Sequence, residues 1–154
     1  MVGRHVPPTV LFEDEDGVTD LGNPFGEEAW LCTVASDGEF ALAVGSDVWW
    51  SNDGITWHIL EAFQDIGGSY FDDPGLDSNL VWAAVGPLGY VVLGHSRSDG
   101  WFSPDLMTWY PIEPEDGPDD TERGWFGPGN VTVSDKMIVI GAELGGAWIG
   151  TPSN

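Results

Sequence analysis

Basic residues are nearly missing from this chain: four Lys and Arg stand against 26 Asp and Glu, for a formal net charge of −22. Nucleic acids and anionic membrane surfaces are held through clusters of Lys and Arg, so neither is an expected partner. Divalent cations, basic partners or salty surroundings suit such a surface better. Cysteine is reduced to Cys32, which leaves no intrachain disulfide. The opening Met1-Val2-Gly3-Arg4-His5-Val6-Pro7-Pro8 has no apolar stretch of the kind a secretory signal carries. No apolar run approaches the ~20 residues of a membrane-spanning helix. Helical periodicity is also missing over any window of about 11 residues or more, which excludes an amphipathic helix bundle. No Ser–His–Asp set, zinc-ligand spacing or phosphate-cradling loop appears.

What is abundant is turn chemistry and tryptophan. The 154 residues include 22 Gly, 11 Pro and nine Trp. Ser51-Asn52-Asp53-Gly54-Ile55-Thr56-Trp57 returns 52 residues later as Ser103-Pro104-Asp105-Leu106-Met107-Thr108-Trp109. Trp49 and Trp101, and Trp30 and Trp82, are separated by the same interval. A fixed period of this size signals a repeat architecture.

Short β-branched and aromatic runs between Gly, Pro, Asn and Asp clusters read as strands. The first unit has strands at Trp30–Ala35, Phe40–Val44, Val48–Trp50 and His58–Leu60; the second has them at Val81–Val85, Tyr90–Leu93, Trp101–Phe102 and Tyr110–Ile112. The third has Val131–Val133, Met137–Ile140 and Ala147–Ile149, and then lacks a fourth. Val6–Phe12 precedes an acidic connector, as the fourth strand of each complete unit does, and is expected to fill that place. The chain thus reads as an all-β single domain over 1–154, a β-propeller of four-stranded antiparallel blades at about 29–61, 80–113 and 130–152 plus 6–12. Three blades cannot close a ring, so either the chain is an excerpt of a longer propeller or two copies assemble; the favoured expectation is a homodimer with six blades, in which the N-terminal strand completes the partner's third blade.

In the repeated segment, Asp53 and Asp105 are placed to accept hydrogen bonds from successive backbone N–H groups, Ser51, Thr56, Ser103 and Thr108 to add hydroxyl contacts, and Trp57 and Trp109 to pin the turn. Turn stabilisation alone accounts for every one of these residues. The segment resembles the Asp-box, the BNR-type repeat of sialidases and of many non-enzymatic bacterial propellers, whose pattern is Ser-x-Asp-x-Gly-x-Thr-Trp. Here one residue fewer separates Asp from Thr, Leu106 replaces glycine in the second copy, and the third unit has Gly150-Thr151-Pro152 instead. The resemblance implies that the box is structural, lies between the third and fourth strands, and does not mark an active site. It also implies an extracellular or cell-surface location. Sialidases bind their substrate carboxylate through three arginines; Arg4, Arg97 and Arg123 do not stand in that family's sequence context.

Alternating strand direction sends the boxes to one end and the connectors to the other. The connectors Glu13–Glu28, Glu61–Ser78 and Glu113–Gly129, with Asp47, Asp99 and Glu143, carry 21 of the 26 acidic residues. That end would repel an anionic sugar and attract cations. His95, Arg97, Asp99, Asp47 and Glu143 on the loops between second and third strands are the candidates for binding a polar ligand, with Trp125 as a stacking surface for a sugar ring. Asp72, Asp73 and Asp77 are the candidate ligands for Ca2+. Asp14-x-Asp16-Gly17 does not complete an EF-hand loop, because Phe12 and Asn23 occupy its first and twelfth ligand positions. Two function classes follow: a non-catalytic binding or scaffolding module for a glycan, cation or protein, and a glycoside hydrolase relative with paired carboxylates drawn from Asp47, Asp72, Asp99 or Glu143.

Overall fold

A computed structural model describes residues 9–14, 17–27, 29–61, 80–94, 100–112, 128–142 and 147–151. Among the described residues there are thirteen strands: β1 (Leu11–Asp14), β2 (Gly17–Asp20), β3 (Leu31–Ser36), β4 (Ala41–Gly45), β5 (Val48–Ser51), β6 (His58–Ile59), β7 (Leu80–Gly86), β8 (Gly89–Gly94), β9 (Gly100–Ser103), β10 (Tyr110–Pro111), β11 (Pro128–Val133), β12 (Ile138–Ala142) and β13 (Ala147–Gly150). Each of the eleven strands expected in the repeats is found, within about three residues at either end. They form antiparallel meanders: β3-β4-β5-β6 (sheet 1), β7-β8-β9-β10 (sheet 2) and β11-β12-β13 (sheet 3). No helix among the described residues is long and apolar enough to cross a membrane.

The sheets pack face to face, and register decides which face meets which. In sheet 1, Val34, Ala43, Trp49 and Ile59 stand opposite one another across four strands. The same transverse row is Ala83, Val92, Trp101 and Pro111 in sheet 2, and Val131, Ile140 and Trp148 in sheet 3. Because side chains alternate between faces, the neighbouring positions Leu42, Val44 and Val48 point the other way, as do Val91 and Leu93. One core joins these residues and Leu60 of sheet 1 to Ala83, Val92, Trp101, Leu106 and Trp109 of sheet 2. A second joins Ala84, Val91 and Leu93 of sheet 2 to Val133 and Ile140 of sheet 3. Sheets 2 and 3 follow one rule: the row, through Ala83, Val92 and Trp101 in sheet 2 and Val131 and Ile140 in sheet 3, lies against the opposite face of the sheet before it. Leu42, Val44, Val48, Val91 and Val92 are wholly buried, each contributing about 2 kcal/mol through exclusion of water.

Backbone contact sets the spacing at the first strands. β7 lies against β3 and β4, and β11 against β7 and β8. A Cβ on Gly86 would strike the carbonyl of Val133 in sheet 3, so glycine is required where the two sheets come closest.

Among the described residues no meander lies before sheet 1, and its Trp row is covered by Val10, Phe25 and Ala29. β1 and β2 form a hairpin with Leu11 opposite Asp20 and Asp14 opposite Gly17. Val10 extends it, donating to the Gly22 carbonyl and accepting from Leu21 N–H, both at 2.9 Å. Asp20 Oδ1 then accepts from Gly22 N–H at 2.8 Å, Asn23 Oδ1 from Phe25 N–H at 3.0 Å, and Asn23 Nδ2 donates to the Gly26 carbonyl. These turns aim Phe25 at Trp49 and Trp57, with ring centroids 5.2 and 5.1 Å away. Phe25 and Ala29 complete a third core with Ala43 and Trp49. Trp49 is 3% exposed under this cover and Trp101 is 5% exposed under a whole sheet, so the two kinds of cover are equally effective.

This arrangement corrects the reading of residues 13–28 as an acidic connector and leaves the expected pairing with a partner's third blade untouched. Within the chain the N-terminal strand does not complete the last sheet: it pairs with residues 17–20, part of the segment read as an acidic connector, and β13 has only β12 beside it among the described residues. A partner within ten residues costs far less loop-closure entropy than one beyond residue 147, and Gly17, at φ 125°, opens β2 in a conformation that favours glycine.

Phe25→Ala is expected to destabilise the fold by about 3 kcal/mol and to red-shift tryptophan emission, read by urea unfolding and fluorescence. Gly86→Ala is expected to cost about 2 kcal/mol; an unchanged unfolding midpoint would show that β7 and β11 do not touch.

Candidate functional site

The two boxes are the most fully built polar sites among the described residues. Ser51 ends β5 and is wholly buried; its Oγ accepts from Asp53 N–H at 3.3 Å and Gly54 N–H at 2.8 Å and donates to Asp53 Oδ1 at 3.0 Å. Asp53 Oδ1 also accepts from Ile55 N–H at 2.8 Å and Thr56 N–H at 2.7 Å. Trp57 Nε1 closes the loop by donating to the Gly54 carbonyl at 3.2 Å. In the second copy Asp105 Oδ1 accepts from Met107 and Thr108 N–H, each at 2.9 Å, and from Ser103 Oγ at 3.3 Å. The N–H groups of Thr56 and then Ile55 hold the Asp53 carboxyl ionised, its pKa pushed down to about 2. Asp105 is lowered for the same reason by Thr108 and Met107. Such a carboxylate carries no proton at neutral pH and cannot act as a general acid.

The copies differ at the glycine. Gly54 has φ 71°, and Leu106 takes the same left-handed conformation at φ 65°. An L side chain there costs about 1 kcal/mol. Leu106 is nevertheless retained in a favourable balance, because its side chain is buried in the core between sheets 1 and 2. Trp109 lies in that core too, whereas Trp57 is half-buried under Phe25.

A simpler version of the box shapes the turn after β3. Asp37 Oδ1 accepts from Glu39 and Phe40 N–H, each at 2.9 Å, and Ser36 Oγ donates to the Phe40 carbonyl at 2.7 Å. The Phe40 and Glu39 N–H groups lower the Asp37 pKa. Burial, with the Asp37 and Glu39 charges, raises the Tyr90 phenol. Sequence reading recognised this turn but not the role of Asp37; the Ser-Asp pair three and four residues before an aromatic was the available signal. At the turn after β11, Ser134 Oγ accepts from Met137 N–H at 3.0 Å and its N–H donates to the Met137 carbonyl at 2.9 Å.

The antiparallel meanders send the boxes and these first turns to one end of each sheet, and the turns between second and third strands to the other. Of the candidate ligand-binding residues, Asp47 lies at that other end, where its Oδ1 accepts from Val48 N–H at 2.9 Å and its carbonyl from Gly45 N–H at 3.0 Å. His95, Arg97, Asp99, Glu143 and Trp125, and the Ca2+ candidates Asp72, Asp73 and Asp77, lie outside the described residues. Among the described residues no group of three or more His, Cys, Asp or Glu gathers as metal ligands would. No family model matches the chain, and comparisons with curated proteins and with solved structures find no match.

Ser51→Ala removes one buried oxygen that serves two N–H groups and is expected to cost about 2 kcal/mol, measured by chemical denaturation. Asp53 has a depressed folded-state pKa, so its stabilisation is complete above its ordinary value of about 4 and is lost as pH falls toward about 2. Thermal melts of the wild type should fall across that window, and Asp53→Asn should flatten the fall. Leu106→Gly is expected to destabilise by about 1–2 kcal/mol despite the relaxed backbone; a stabilised variant would mean strain outweighs burial.

Proposed function

We propose that this chain is a non-catalytic, Asp-box-type propeller module: three blades of a ring that a second copy completes, presenting its acidic connector end to a ligand. The observation that carries the reading is the pair of box carboxylates, Asp53 and Asp105, each engaged by two backbone N–H groups and a serine hydroxyl. Acids engaged this way stabilise turns and take no part in proton transfer. Sheets 2 and 3, each laying the corresponding row on the sheet before, repeat one packing step, as blades around an axis do.

The ligand expected at the connector end is a neutral or basic glycan, a divalent cation such as Ca2+, or a protein with a basic surface, since a charge of −22 disfavours anions. His95, Arg97, Asp99, Glu143, Asp47 and Trp125 are the residues proposed to contact it. The resemblance to Asp-box proteins supports a location at the cell surface or outside the cell, and this activity is proposed to act there.

The test is a glycan array and a Ca2+ titration run alongside a panel of fluorogenic glycosides. Binding that raises the melting temperature, with hydrolysis at the buffer rate, is the expected outcome. Turnover that co-purifies with the protein and disappears in Asp47→Asn would replace the reading with a glycoside hydrolase.

A further inference from the structure

Two strand edges in this chain are open among the described residues, and they have matching length. β13 pairs with β12 on one side only, and β1 pairs with β2 on one side only. Each is four residues long. In sheets 1 and 2 the corresponding third strand is covered by a short fourth strand: β6 pairs with Trp49 and Trp50, and β10 with Trp101 and Phe102. Sheet 3 therefore has a place for one more strand beside Trp148 and Ile149.

The hydrogen-bonding phase of both edges can be read. Leu60 N–H donates to the Val48 carbonyl at 2.9 Å and Ile112 N–H to the Gly100 carbonyl at 2.7 Å, so Val48 and Trp50, or Gly100 and Phe102, direct their backbone groups outward. Trp148 stands opposite Ile140 as Trp49 stands opposite Ala43 and Trp101 opposite Val92. Ala147 and Ile149 therefore hold the outward phase in β13. On the hairpin, Val10 bonds toward Leu21 and Gly22. Phe12 and Asp14 share that inward phase, and Leu11 and Glu13 direct their N–H and C=O groups away from β2.

We infer that β1 of one copy adds, antiparallel, to the β13 edge of a second copy, and that the same contact in reverse makes a closed dimer with two junctions. The inference rests on the reading of the chain as half of a ring and supplies the joint between the halves. It keeps the hairpin intact, where a simple exchange of the N-terminal strand would have to break it. The hairpin is also in the right place, because Val10 packs on the Trp row of sheet 1, the face that in a completed ring would meet sheet 3 of the other copy. Leu11 and Ile149, 64% and 68% exposed, would lie within a continuous five-stranded sheet. β13 carries no charge; the net charge of each copy opposes association over longer range, and added salt strengthens it.

The experiment is light scattering on the full chain at micromolar concentration, in about 0.15 M and about 0.5 M NaCl. A mass of 33.2 kDa, twice 16.6 kDa, is expected for the wild type. Leu11→Pro and Ile149→Pro each remove one outward N–H and leave the chain's own ladders in place. Each is expected to weaken the dimer about tenfold or more with unchanged far-UV circular dichroism. Mixing the two variants should restore part of the dimer, since the β13 edge of Leu11→Pro and the β1 edge of Ile149→Pro are both intact. A local folding defect in either variant cannot produce that rescue. A wild-type dimer indifferent to both prolines would overturn the joint and leave the half-ring standing. A wild-type monomer under both conditions would overturn both, and open-ended polymers would overturn closure.

Discussion

Each sheet carries a tryptophan on its third strand, and the molecule is arranged so that the row containing it is covered. In sheets 2 and 3 the cover is the preceding sheet. In sheet 1 it is a short strap whose turns at Asp20 and Asn23 deliver one phenylalanine ring. Trp49 and Trp101 reach nearly equal burial by these two routes. The order of the sheets, the position of the hairpin and the close approach at Gly86 follow from meeting this one demand three times.

The boxes serve the same demand from the sheet ends. A carboxylate held by two N–H groups and a buried serine makes a tight turn, and the turn fixes where the following tryptophan lies. Trp109 consequently enters the core between sheets 1 and 2, together with Leu106. Leu106 shows how the demands are ranked: backbone preference for glycine gives way where a side chain can exclude water between sheets. Gly54, which lacks such a neighbour, keeps the glycine.

Strands and repeat were legible because their signal is local. Alternation, turn residues and a fixed interval located all eleven strands of the repeats, and Ser51, Asp53, Ser103 and Asp105 have the contacts that their chemistry suggested. The hairpin was not legible, because Gly17-Val-Thr-Asp20 lies among so many acids that its two β-branched residues were overshadowed. Phe25 was equally hidden, since nothing in a loop phenylalanine tells which face it will cover. The left-handed Leu106 could be suspected from its alignment with Gly54, but the burial that sustains it depends on a neighbouring sheet. The candidate ligand residues other than Asp47 lie outside the described residues, in stretches of sequence where periodicity carries no information.

The strap also has a consequence for how the chain comes together. Residues 9–61 contain sheet 1, its Trp row and the ring that shields that row, so every contact of this core is made within one continuous third of the polypeptide. Synthesis proceeds from the N-terminus, so every residue of this core is made before any residue of sheet 2. The other face of sheet 1 takes its cover from outside this segment, from Ala83, Val92, Trp101, Leu106 and Trp109.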